Sequence, residues 1–392
     1  MRNDMVLQAL AKFADVDVLV LPAFARTGVA ASRIFKREGV RIFIPKKGCR
    51  PDTQFSLISH LSSFQQKLSA FRAYGKPSLA TPLSEDLLQH CQETLAGRNY
   101  DLIHTARSYC APFALRLADH LSGGRKIPVT LDLDEDDSRV YRGLAGLSRR
   151  HGKTDTAHWF QAESDAFSAL VRDHTGRFDK AWVSSPVDQR SLASQCSFRP
   201  EIVPNTVPQG RYVPRMSHGD RLLFVGGMGY APNLDAVRWF LREIWPRLSK
   251  KIGLQLDIVG SDPPPWLQRQ NARPGIHVTG WVPDVKPYYA RAALMIAPIR
   301  AAAGTRIKLI ESAAKGIPIA STTVGAEGLG MRNGQHLWCA DTANRFAAAI
   351  AEALARPGER QRRAEAARAH IMRECDRERT IANLTRSLES LL

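Results

Sequence analysis

LMIAPIRAAAGTRIKLIESAAKGIPIAS, residues 294–321, decides the fold. Leu294-Met295-Ile296-Ala297 is a short continuous apolar run, the pattern of a parallel strand buried on both faces, and Pro298 ends it. Ala301-Ala302-Ala303-Gly304 makes a small-residue loop. A helical pattern follows with Ile307, Ile310 and Ala314 on one side, stopped by Gly316 at the C-cap. Residues 317–321 read as the next strand. The helix is expected to open Gly304-Thr305-Arg306, bringing backbone N–H groups, a hydroxyl and a guanidinium to the positive end of the macrodipole. Lys308 adds a second cation in the first turn. Glu311, three residues on, projects from the same side. Cations for a diphosphate, then one turn on a carboxylate for sugar hydroxyls, suit a nucleotide sugar. The same residues also fit a solvated helix with a Lys308–Glu311 ion pair.

At these residues the chain resembles the retaining GT-B glycosyltransferases of family four. Their helix in this place carries Glu-x7-Glu ahead of a Gly-x-Pro strand. Here Glu311 takes the second Glu position before Gly316-Ile317-Pro318, and Ala303 stands at the first. A subgroup whose helix opens Gly-Thr-Arg-x-Lys is closer. The resemblance implies an α/β fold of the GT-B type, two Rossmann-like doubly wound domains facing a cleft. It further implies a UDP- or GDP-type sugar donor, a hydroxyl acceptor, and no cofactor or metal for the chemistry.

The rest of the chain sets the frame. Its 392 residues suggest two domains. Apolar runs are all far shorter than a membrane span, and the first residues lack a signal-peptide layout. Six cysteines are scattered with no CxxC pair, which suggests a reducing compartment and neither a zinc site nor a disulfide frame. A cytoplasmic location is expected. The formal charge of +17 favours an anionic partner. The cations are spread along the chain, and no nucleic-acid-binding motif is present, so nucleic acid is not the expected partner. A lipid-linked acceptor at the inner face of an anionic membrane accounts for the charge as well, through peripheral contact. A solvated basic surface is the other account.

In the first half, residues 1–13 (MRNDMVLQALAKF) read as helix and residues 16–21 (VDVLVL) as a strand. GT-B proteins place a strand and a glycine-rich loop ahead of this helix. Neither is read here, so either the start is placed late or the first strand has been lost. Residues 40–44 form another strand, followed by Lys46, Lys47 and Arg50. Residues 57–74 have helical periodicity with Lys67 and Arg72, a surface for membrane or for solvent. Residues 101–104 (DLIH) are a strand entering a loop with Arg107. Strand carboxyl ends hold ligands in α/β sheets, which makes His104 and Arg107 acceptor-side candidates, against a histidine satisfied by its surroundings. Residues 129–133 run into Asp134-Glu135-Asp136-Asp137. Relatives close this strand with a histidine; Asp132 or Asp134 stands there instead. Asp134 is the catalytic or acceptor-binding candidate, against acids suited to a helix N-terminus or holding a divalent metal.

Residues 201–208 (EIVPNTVP) resemble the family's segment that ends the first domain. The chain is divided into an acceptor-side domain, 1–205, a linker, 206–219, a nucleotide-sugar-binding domain, 220–376, and a helix crossing back, 377–392. A hinge is expected in the proline- and glycine-bearing stretch 204–219. Residues 221–228 (RLLFVGGM) are a strand entering a glycine pair, Gly226-Gly227, which lets a ligand approach the backbone. The family's cations in the next loop are replaced by Tyr230-Ala231-Pro232-Asn233, so Arg306 and Lys308 are expected to supply the phosphate charge. Gly280-Trp281-Val282 resembles the family's nucleobase-binding edge, against a core tryptophan. Glu327, in the loop after residue 321, is a further candidate. Residues 346–354 and 360–392 read as helical.

The resemblance carries the activity: it implies a retaining transfer of a hexose from a nucleotide diphosphate to a saccharide or lipid-linked saccharide. Cell-surface polysaccharide or glycoconjugate synthesis is the expected setting. Arg306, Lys308 and the Gly304-Thr305 amides would stabilise the departing diphosphate and Glu311 would fix hydroxyls. The alternatives are a catalytically idle GT-B binding or scaffold protein, favoured by Ala303, and a GT-B nucleotide-sugar epimerase.

Overall fold

The structure, a computed structural model, describes residues 2–21, 39–45, 49–50, 52–208, 220–248 and 253–392. Lys46 and Lys47, and residues 209–219 of the expected linker, lie outside the described residues. The chain divides into two compact units, Met1–Pro204 with Glu378–Leu392, and Asn205–Arg377.

In the first unit, β3 (Ile103–Ala106), β4 (Val129–Asp134), β5 (Lys180–Val183) and β6 (Glu201–Ile202) form a parallel sheet in that order. β1 (Val16–Leu19) and β2 (Val40–Phe43) form a separate parallel pair. Period-two alternation explains β4. Leu131 and Leu133 point into an apolar layer with Leu115, Leu170 and Val183. Thr130 and Asp132 point the other way, and each is satisfied there. Thr130 meets His104, and Asp132 takes two bonds from Arg2, at 2.6 and 2.7 Å. Arg2 opens the helix Arg2–Leu10, whose Met5, Val6 and Ala9 pack with Trp182, Val203 and, from the last helix, Ile381, Leu384 and Leu388.

The second unit is one six-stranded parallel sheet. Its order is β12 (Trp338–Cys339), β11 (Ile319–Ser321), β10 (Leu294–Ala297), β7 (Arg221–Val225), β8 (Gln255–Val259) and β9 (Ile276–Gly280). From β7 the chain winds outward through β8 and β9, then returns to β10 on the other side of β7. That reversal makes the carboxyl ends of β7 and β10 a topological switch point, where a crevice opens in sheets of this kind. All four residues of β10 are buried, as a strand covered on both faces requires. The helix Ile307–Ala314 covers it with Leu309, Ile310 and Ala313, fully buried. Burying each of the two large side chains stabilises the packing by about 1.5–3 kcal/mol.

Several elements differ from expectation. The buried face of that helix is Leu309-Ile310-Ala313; Ile307 and Ala314 are only half-buried. The helix begins at Ile307 with Arg306 as its N-cap, so Gly304 and Thr305 belong to the loop, where Gly304 has φ 69°. Lys315 is the C-cap and Gly316, with φ 66°, follows it. The stretch 57–74 is two helices, Thr53–His60 and Phe64–Tyr74, broken because Ser63 and Gln66 form a capping box that starts the second. Residues 360–392 likewise divide between helices Pro357–Glu374 and Arg377–Glu389.

Candidate functional site

The switch point of the second unit gathers most of the charged candidates. β7 runs into Gly226-Gly227, and the helix Ala231–Trp239 starts four residues later. A Cβ on Gly226 would lie 2.7 Å from the Asn233 amide nitrogen and 2.9 Å from Lys308 Nζ, so glycine is required by close approach. Lys308 reaches this turn from the opposite side of the switch point. Its ammonium donates to Asn233 Oδ1 at 2.7 Å and lies 4.2 Å from the centre of the Phe224 ring. Asn233 Nδ2 in turn donates to the Gly227 carbonyl at 3.0 Å. Lys308 makes no ion pair among the described residues, and the expected Lys308–Glu311 pair is not formed. Burial, and then the neighbouring Arg306 guanidinium, push the Lys308 ammonium down to about 7. A cation held by a neutral amide and a ring, beside a second cation, attracts an anion.

Arg306 is 8% exposed. It donates to the Gly304 carbonyl and, at 3.3 Å, to that of Glu327, tying the loop after β10 to the loop after β11. Glu327 therefore enters through its backbone carbonyl in this arrangement. The Thr305 hydroxyl accepts from Asn205 Nδ2 at 3.1 Å. Glu311, one turn along the helix, accepts from the hydroxyl of buried Tyr289 at 2.7 Å. Burial and that carboxylate raise the Tyr289 phenol far above its ordinary range. Trp281 is 74% exposed just beyond the carboxyl end of β9, which overturns the core alternative; Val282 beside it is half-buried. Asn233 and Tyr289 are the members sequence reasoning missed. Each lies far along the chain from the charge it holds.

The first unit has its own polar cluster. Asp134 (φ 62°) and Arg107 (φ 75°) both occupy the left-handed half of φ space, which costs about 1–3 kcal/mol per residue. A register shift between Asp132 and Asp134 ends β4 there. Arg107 meets Asp134 at 3.1 Å, Glu135 at 3.0 Å and Asp137 at 3.5 Å. Asp136 instead caps the helix Asp137–Arg150, accepting from Ser138, Arg139 and Ser191. Of the two aspartates weighed for the strand's end, Asp132 is buried against Arg2 and Asp134 remains partly exposed. His104 lies within β3, 3.0 Å from the Thr130 hydroxyl and with its ring tilted at 43° to that of Trp182, and burial pushes it down to about 4. Among the described residues no group of three His, Cys, Asp or Glu side chains is placed to hold a metal ion.

A cavity of about 300 Å³ opens beside β12, lined by Trp338, Arg345, Glu352 and Arg363 among others. Glu359 holds Arg363 at 2.6 Å there.

The family model described as Glycosyl transferases group 1 matches residues 219–356. No curated protein matches the chain by sequence. Among solved structures, sucrose-phosphate synthase from Thermosynechococcus elongatus is similar at TM-score 0.67 and 14% identity, over 98% of this chain and 91% of its own. HepE from Anabaena, in complex with UDP, gives TM-score 0.63 and 14% identity over 99% and 96%. A glycosyltransferase from Rickettsia africae gives 0.64 and 12% over 100% and 94%. These likenesses establish the fold as GT-B, with two Rossmann-like units.

Proposed function

We propose that the protein is a glycosyltransferase that draws a sugar from a nucleotide-diphosphate donor bound in the second unit. The observation that carries this is Lys308, a partly buried ammonium without a carboxylate partner among the described residues, set against a glycine turn at the switch point. A buried cation without a counter-ion is costly unless an anion arrives to pair with it. The stretch matching Glycosyl transferases group 1 contains this site, and the similar Anabaena HepE was crystallised with UDP and with UDP-glucose, which supports a UDP-type donor, with GDP as the other option.

In the mechanism this site supports, the diphosphate lies across Gly226-Gly227 and the Gly304-Thr305 loop. As the sugar C1–O bond breaks, charge grows on the departing phosphate oxygen, and Lys308 and Arg306 stabilise it. The acceptor hydroxyl forms the new C1–O bond on the same face, and its proton passes to the departing diphosphate, so the configuration is retained. Glu311, held by Tyr289, accepts from ribose or sugar hydroxyls. Trp281 offers its exposed face to the base, Val282 its backbone, and Glu327 closes the loop around Arg306. Asp134, with Arg107 and His104 behind it, serves the acceptor in the first unit. A hexose as the transferred sugar, a saccharide or lipid-linked acceptor, cell-surface polysaccharide or glycoconjugate synthesis, and a cytoplasmic place at the inner membrane face complete the proposal. No metal or other cofactor is assigned a role.

Incubation with UDP-glucose, UDP-N-acetylglucosamine and GDP-mannose plus a lipid-saccharide extract tests it. Nucleotide release and labelled product, lost in Lys308→Ala and Glu311→Ala, are the expected results. Ala303 in the first motif position favours a second reading, a GT-B protein that binds donor without turning it over. Tight donor binding with neither transfer nor hydrolysis would establish that reading instead. Interconversion of one nucleotide sugar into another without acceptor would identify an epimerase.

A further inference from the structure

Lys308 approaches the β7 turn from a helix that lies 75 residues further along the chain than the residue it grips. A lysine side chain has four rotatable carbons and about 2 kcal/mol of rotamer entropy, so a point charge on it needs a fixed partner to stay in place. The usual partner for a buried ammonium is a carboxylate. Here the partner is the Asn233 amide, itself 9% exposed and anchored by its second polar atom to the Gly227 carbonyl. The amide nitrogen holds the turn and the amide oxygen holds the ammonium. An amide oxygen accepts from Lys308 as a carboxylate would, yet carries no charge with which to cancel it.

We propose that Asn233 is a positioning residue of this site: its amide holds the Lys308 ammonium against the Gly226–Gly227 turn without neutralising it, so that the full charge is left for a donor diphosphate. The inference rests on the donor-site reading above and adds to it the residue that makes Lys308 effective. It also explains how a loop without cations of its own, Tyr230-Ala231-Pro232-Asn233, serves an anion site. The loop supplies the holder, and the helix across the switch point supplies the charge.

The test is calorimetric titration of the full chain with UDP-glucose, GDP-mannose, uridine and guanosine between pH 6 and pH 9. The bridging diphosphate of a nucleotide sugar does not titrate in that range, and the base begins to ionise only at its upper end, where the free nucleosides run in parallel show that contribution. Asn233→Ala should weaken the nucleotide sugar about tenfold or more, the worth of a hydrogen bond to a charged group. It should leave the free nucleoside unchanged and move the midpoint of the pH profile to lower pH, because the ammonium loses its acceptor. Asn233→Asp should also weaken binding, but move the midpoint to higher pH, because a carboxylate now favours the charged lysine. In a Lys308→Met background Asn233→Ala should cost nothing further. Loss of nucleoside binding as well, an unmoved midpoint in both variants, or an equal loss without Lys308 would overturn the inference and leave the donor site standing. A folded wild type that binds neither nucleotide sugar would overturn the donor-site reading itself, and this inference with it.

Discussion

At the scale of single residues, the site depends on charges that are kept apart from their usual partners. Lys308 sits at about 7, against an ordinary lysine value of 10.5, because burial and Arg306 oppose its protonation. Between those two values the unfolded chain binds a proton that the folded chain does not. Stability therefore rises with pH through that window, and the unliganded protein should melt higher at pH 9 than at pH 7 as far as this group decides. Donor affinity must run the other way, falling as pH rises past 7, because the bound diphosphate requires the proton. Calorimetry with UDP-glucose across pH 6 to 9 reads the second slope, and thermal melting without ligand reads the first. Gly226→Ala should weaken the same donor strongly, since its methyl would meet both Asn233 and Lys308 under 3 Å. Tyr289→Phe strips a charge-assisted hydrogen bond from the Glu311 carboxylate and should cost about 1.5–3 kcal/mol of stability, read by urea unfolding. The sequence made Lys308, Arg306 and Glu311 visible because they share one short motif with its own helix. Asn233 and Tyr289 were not visible as their holders, since contacts across a sheet reversal leave no local signature.

At the scale of elements, the parallel strands were legible for a simple reason. A strand covered on both faces must be an apolar run, and LMIA and RLLFV are such runs bounded by proline or glycine. The helix break at residues 61–63 contains neither residue, yet Ser63-Phe64-Gln65-Gln66 is a capping-box pattern that marks a start. β4, a strand with a polar face, depends on tertiary partners that no window of sequence contains. Its Asp132 is held by Arg2 from 130 residues away, with both side chains nearly free of solvent. Arg2→Ala would leave a buried carboxylate with its main cation gone, which costs about 3–5 kcal/mol. The helix Arg2–Leu10 should loosen from β4 as a result. Urea unfolding gives the energy, and hydrogen exchange over residues 2–10 and 129–134 shows where it is lost. Replacing both partners with apolar residues, Arg2→Met with Asp132→Leu, should recover much of the loss, because the penalty comes from isolating one charge.

At the scale of the whole molecule, the chain leaves its first unit after Pro204 and returns to it at Glu378. The return has a physical cause in Ile381, Leu384 and Leu388, which complete an apolar layer with Met5, Val6, Ala9, Trp182 and Val203. Leu388 is fully buried there, and Leu388→Ala should destabilise that layer by about 2–5 kcal/mol. Gly226, Gly227, Asn233, Tyr289, Arg306, Lys308 and Glu311 all fall within Asn205–Arg377. If donor binding belongs to that unit alone, Leu388→Ala should lower the melting temperature yet leave the affinity for UDP-glucose unchanged at temperatures where the variant is folded. Ligand stabilises only the conformation that binds it, so UDP-glucose should raise the melting of the unit that carries Lys308 and leave the weakened transition in place. Two resolved transitions, one moving with ligand and one with Leu388→Ala, are the expected calorimetric result. A single transition shifted by both would mean that the energies of the two units are coupled, and that the acceptor-side cluster of Arg107 and Asp134 feels donor binding through the fold.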